Sequence, residues 1–122
     1  MSSPSRKLTL AQNEARKMLK KEFKARGGFV FSVPEYGVTI CIRRTGTNMG
    51  EFALAIAGPG EPKFYRKVGE YHALNRALNR VDMNKMQPVY LPEPYMTEDD
   101  LRRISEQIAE ALGEYREHFR KE

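Results

Sequence analysis

Apolar positions recur with two different periods along this chain, and the switches between them divide it into helical and extended segments. Thr9-Leu10-Ala11-Gln12 has the spacing of a capping box, with Leu8 ahead of it as a staple residue, so a helix is expected to begin there. Ala11, Ala15, Met18, Leu19 and Phe23 follow at helical spacing and predict its apolar side, while Arg16, Lys17, Lys20, Lys21, Lys24 and Arg26 fall on its other faces. Gly27-Gly28 then offers an easy left-handed stop.

Residues 29–33 are β-branched and aromatic, Pro34-Glu35-Tyr36-Gly37 reads as a turn, and residues 38–44 alternate again, which predicts two antiparallel strands. After a second turn at residues 45–50, a third strand is expected over 51–57. Phe52, Leu54 and Ile56 lie on one side of it, and Ala53, Ala55 and Ala57 form a smooth side beside Thr39, Cys41 and Arg43. The loop Gly58-Pro59-Gly60-Glu61-Pro62 leads to residues 63–67, read as a short edge strand that sends Phe64 into the core and Tyr65 to the surface.

From Val68 to about Asn84 the spacing of Tyr71, Leu74, Ala77, Leu78 and Val81 predicts a second helix, with His72, Arg76 and Arg80 on a different stripe. Three prolines make residues 87–95 an extended strap or sheet edge. Thr97 and the acidic residues behind it should cap a last helix with an apolar stripe of Leu101, Ile104, Ile108, Ala111, Leu112, Tyr115 and Phe119. The expected fold is therefore a single α+β domain over residues 1–122, with residues 1–7 a loose tail. It is an antiparallel sheet of three to four strands packed with a basic N-terminal helix, a middle helix and a long C-terminal helix.

Composition adds a globular balance, 40% apolar and 30% charged, which excludes a disordered chain. Cys41 is the sole cysteine, so neither an internal disulfide nor a cysteine metal motif is available, and a reducing compartment, the cytoplasm, is expected. Leu8 to Leu10 is too short an apolar run for a signal peptide or a membrane span.

Charge changes the picture more. Residues 1–26 carry eight Lys or Arg against two Glu, whereas residues 97–122 carry five against eight acidic residues. Such asymmetry suits an anionic partner, or the pairing of basic and acidic elements between subunits.

Candidate catalysis is thin. His72 and His118 lie on different predicted helices without a zinc pattern, and Gly58-Pro59-Gly60 lacks the Gly-Lys-Ser/Thr ending of a phosphate loop; neither an enzyme nor a cofactor is expected. Lys63-Phe64-Tyr65-Arg66-Lys67 interleaves rings with cations, and Arg43-Arg44 precede a glycine-containing loop. Rings stack on unpaired bases and cations hold phosphates, which points to single-stranded nucleic acid. The expected contacts are Arg43, Arg44, Lys63, Tyr65, Arg66, Lys67, Arg76 and Arg80. The basic first helix could follow phosphates or face water; with two alanines and no Trp on its apolar side it is a poor membrane binder. The last helix either packs on its own sheet or meets a second subunit, and a homo-oligomer is expected because Tyr115 and Phe119 extend its stripe beyond what the sheet needs.

Residues 51–80 resemble a pattern in small bacteriophage and prophage accessory proteins. In those proteins an apolar strand precedes an Asp/Glu-x-Lys-Phe-x-Arg-Lys-x-Gly segment and an Ala-Leu-x-Arg helix, matched here by Glu61, Lys63, Phe64, Arg66, Lys67, Gly69, Ala73, Leu74 and Arg76. Size and plan are similar to the early single-stranded-DNA-binding proteins of N4-like phages. The resemblance implies a role in early transcription or DNA handling in an infected bacterium, with phage or host RNA polymerase as a protein partner. The alternative is a phage protein that binds a host protein and inhibits or redirects it, without nucleic acid.

Overall fold

The computed structural model describes residues 7–56, 65–78, 86–93 and 95–120, with residues 114–120 described by backbone only. It contains α1 (Leu10–Ala25), β1 (Gly28–Val33), a short 3-10 turn (Pro34–Tyr36), β2 (Val38–Arg44), β3 (Met49–Ile56), α2 (Arg66–Ala77), β4 (Gln87–Tyr90) and α3 (Glu98–Arg120). The strands form one antiparallel sheet in the order β1-β2-β3-β4, and the α+β plan follows.

Register explains how the sheet divides its side chains. Val30 pairs with Cys41, and Cys41 with Ala53; one step along, Phe31 pairs with Ile40 and Ile40 with Leu54. Successive residues face opposite ways, so Cys41, Ala53 and Ala55 meet Leu19 and Phe23 of α1 and Ala73, Leu74 and Ala77 of α2. Phe31, Val33, Val38, Ile40 and Ile42 meet Leu101 and Ala109 of α3 on the opposite side. The sheet is thus a middle layer, and β2 is buried on both faces along most of its length.

Small residues set the spacing of the layers. Alanines of β3 and α2 let that helix lie close, and on the other side Ser105, Ala109 and Gly113, four residues apart, do the same for α3. Both predicted caps form. Thr9 Oγ1 accepts from the Gln12 amide at 3.1 Å while Gln12 Oε1 accepts from the Thr9 amide at 2.9 Å. Thr97 and Asp100 reproduce the arrangement at 2.9 and 3.2 Å, and the Thr97 backbone amide, followed by its hydroxyl, holds the Asp100 carboxyl below its usual range. Gly27, at φ 82°, follows α1 as the left-handed stop.

Three expectations are corrected. The second helix starts at Arg66 rather than Val68 and ends at Ala77, so Arg66 and Lys67, both good helix formers, are helical and only Tyr65 before them is extended; Lys63 and Phe64 lie outside the described residues. The apolar side of α1 is turned from the one its spacing predicts: Met18 is 73% exposed and Ala11 faces solvent, while Arg16 is 6% exposed. On α3, Ala111 is exposed, and Ser105 and Ala109 take the buried positions. In both helices the buried line is decided by what the partner layer offers, not by apolar content alone.

Candidate nucleic-acid interface

Arg16 can be buried on α1 because α2 supplies its counter-charge. Glu70, itself buried, accepts from Arg16 Nη1 at 2.7 Å, and Asn13 Oδ1 takes Arg16 Nε at 3.1 Å. The same carboxylate meets Lys20 Nζ at 3.3 Å and Arg66 Nη1 at 3.0 Å. One acid thus faces three cations, and the two beyond Arg16 reach the surface. Glu70 joins the basic side of α1 to the first turn of α2.

Beside this network the starts of the two helices enclose an open cleft of about 540 Å³. Lys7, Arg66 and Lys67 bring positive charge to it, Leu8, Leu10 and Val68 an apolar surface, and Asn13 and Tyr65 an amide and a half-buried ring. Lys7 and Lys67 make no ion pair among the described residues, whereas Arg66 is tethered to Glu70. Leu10 is 81% exposed.

Of the eight residues singled out in the sequence, the structure brings Tyr65, Arg66 and Lys67 together at this cleft. Arg43 lies opposite Glu51 across the β2–β3 pair and binds its carboxylate through Nε at 2.9 Å and Nη2 at 2.8 Å. Arg44 donates to the carbonyls of Gly46, Thr47 and Glu93, tying the β2–β3 turn to the segment ahead of α3. Arg76 Nη1 donates to the Leu54 carbonyl at 2.6 Å. These three are spread over the molecule and occupied with holding it together; Lys63 and Arg80 lie outside the described residues.

Lys7, Lys20, Asn13 and Glu70 were not singled out. The Arg66–Glu70 pair at i, i+4 and the Asn13–Arg16 pair at i, i+3 were the local signals; the Arg16–Glu70 contact joins residues 54 positions apart and leaves no local trace. His72 is exposed on α2, its pKa lowered first by desolvation and then by Arg76. Cys41 is buried between the sheet and the α1–α2 layer, and desolvation pushes its thiol far above the ordinary range.

Among the described residues no three His, Cys, Asp or Glu side chains cluster as a metal site would require, and no helix is long and apolar enough to cross a membrane. Comparison of the chain with known protein families, with curated proteins and with solved structures finds no match.

Proposed function

We propose that this chain binds single-stranded nucleic acid without strong sequence preference, along the basic surface formed by α1 and the first turn of α2. The observation that carries this reading is the separation of charge across the sheet. The basic N-terminal helix lies on one face with α2, the acidic C-terminal helix lies on the other, and Glu70, the one buried acid on the basic face among the described residues, is shared by three cations. A surface with that surplus attracts phosphates, and Tyr65 at its edge offers a ring for an unpaired base. The likeness of residues 51–80 to phage accessory proteins supports an infected bacterial cell as the setting, and the likeness in size and plan to the early single-stranded-DNA-binding proteins of N4-like phages supports a place in early transcription or DNA handling, alongside an RNA polymerase. Assembly as a homo-oligomer belongs to the same proposal.

The test is a titration of labelled oligothymidylate at several salt concentrations. Log K should fall with log salt by about 0.7 per phosphate neutralised, and replacing Arg66 and Lys67 together by Ala should weaken binding for all sequences while the domain stays folded. Salt-independent affinity, or unchanged binding by the folded double variant, would reject the assignment.

A second reading has its own observation. On the α3 side of the sheet Ile56 is exposed, and Phe52 and Leu54 of β3 and Ile104 and Ile108 of α3 are only half-buried, a strip suited to a protein partner that the chain would inhibit or redirect. A stoichiometric complex with a host protein that survives nuclease treatment, in a chain that shifts no oligonucleotide, would favour this alternative.

A further inference from the structure

Within that strand-binding surface, and resting on that reading, we infer that the cleft between the starts of α1 and α2 is a subsite for one nucleotide. Its base lies against Tyr65 and its phosphate on Lys7 and Lys67.

At about 540 Å³ the cleft falls within the range of pockets that bury single small ligands. Its walls carry two chemistries that few ligands satisfy together. Leu8, Leu10 and Val68 with the Tyr65 ring suit a flat apolar face, and Lys7 and Lys67 suit an anion. An inorganic phosphate would leave the leucines and the ring unused; a neutral apolar molecule would leave two lysines facing nothing. A nucleotide presents a ring and a phosphate on one small frame.

The division of labour among the cations follows from their partners. Arg66 is held by Glu70 at 3.0 Å and stays against its wall, so the charges without a partner among the described residues, and able to close on a phosphate, are Lys7 and Lys67. Lys20, which shares Glu70 Oε2 with Arg66, leads from the cleft along α1, where neighbouring phosphates of the same strand would continue. Asn13, whose carbonyl oxygen is taken by Arg16 Nε, keeps its amide NH₂ to offer to a base or sugar oxygen.

Shift mapping by ¹⁵N–¹H NMR with AMP, adenosine, inorganic phosphate and a short oligothymidylate tests this. AMP should move the amides of Leu10, Asn13, Tyr65 and Val68 saturably, with adenosine and phosphate each at least roughly tenfold weaker, and the oligonucleotide should move the same amides. Tyr65→Ala should lower AMP affinity by roughly tenfold or more, the loss expected when a base loses its stacking ring. Oligonucleotide binding that bypasses these amides, with AMP silent at millimolar concentration, overturns the subsite and leaves strand binding standing. AMP binding in the cleft without oligonucleotide binding keeps the subsite and overturns the strand reading. Phosphate as strong as AMP overturns the nucleotide and leaves an anion site only.

Discussion

The two faces of the sheet solve the same packing problem by different means. Under α3 the contact is apolar and close: small residues every four positions, Phe31 stacked near Phe29 at 6.2 Å, and Arg102 over the Phe31 ring at 4.8 Å. The ion pairs of α3, Arg102–Glu98 and Arg103–Asp100, sit outside at 3.9 and 3.6 Å and contribute little. Under α1 and α2 a buried arginine and a buried glutamate take part in the packing itself. On that face the residues that dock the helices also shape the proposed binding surface, so fold and function cannot be separated there as they can under α3.

The largest expected effect follows from that difference. Glu70→Ala leaves Arg16 buried without its carboxylate and should cost about 3–5 kcal/mol in urea unfolding, while Arg103→Ala on α3 should change stability by less than about 0.5 kcal/mol. Similar losses for both variants would erase the contrast between the faces.

Two glycines sharpen it at smaller scale. A Cβ at Gly28 would stand 2.4 Å from the Phe23 ring, and one at Gly113 2.4 Å from the Tyr36 ring. Phe23 is 1% exposed and walled in, whereas Tyr36 is 36% exposed and can turn outward. Gly28→Ala should therefore destabilise by about 1–3 kcal/mol. In Gly113→Ala the ring's freedom and the alanine's helical preference, worth about 0.5–1 kcal/mol, should leave stability nearly unchanged. Thermal unfolding of the pair reads the difference directly.

The smallest effect concerns hydroxyls. Thr39 on the α1–α2 face and Ser105 on the α3 face are fully buried, and their hydroxyls have no hydrogen-bond partner among the described residues. Thr39→Val and Ser105→Ala should each be neutral or stabilising by up to about 1 kcal/mol, since an unmet polar group is removed with little change of shape. A loss above that size in either would reveal a partner for the hydroxyl.

Much of the fold was legible because its signals are local. The Thr9 and Thr97 caps, the limits of β2, the two sides of β3 and the stop at Gly27 all follow from residues within a few positions of one another. The side α1 turns inward was not legible, because a buried Arg16 makes sense only once Glu70 arrives from α2. For the candidate site, Tyr65, Arg66 and Lys67 were readable as a cluster of rings and cations. That Arg43, Arg44 and Arg76 are occupied elsewhere was not: Arg44 reaches the Glu93 carbonyl and Arg76 the Leu54 carbonyl across the fold, and composition counts every cation as free.

The contact of Arg76 with Leu54 has a bearing on solubility. β4 pairs only with residues 49–52 of β3, so residues 53–56 have no strand beside them on that side among the described residues. An open strand edge is a template on which a neighbouring chain can add a strand and begin an aggregate. A guanidinium fixed on the Leu54 carbonyl occupies an acceptor that such a strand would need and places a positive charge in its path. The bond that ties α2 to β3 thereby also blocks strand addition at this edge, so its loss would be felt as association at high protein concentration as well as in the fold.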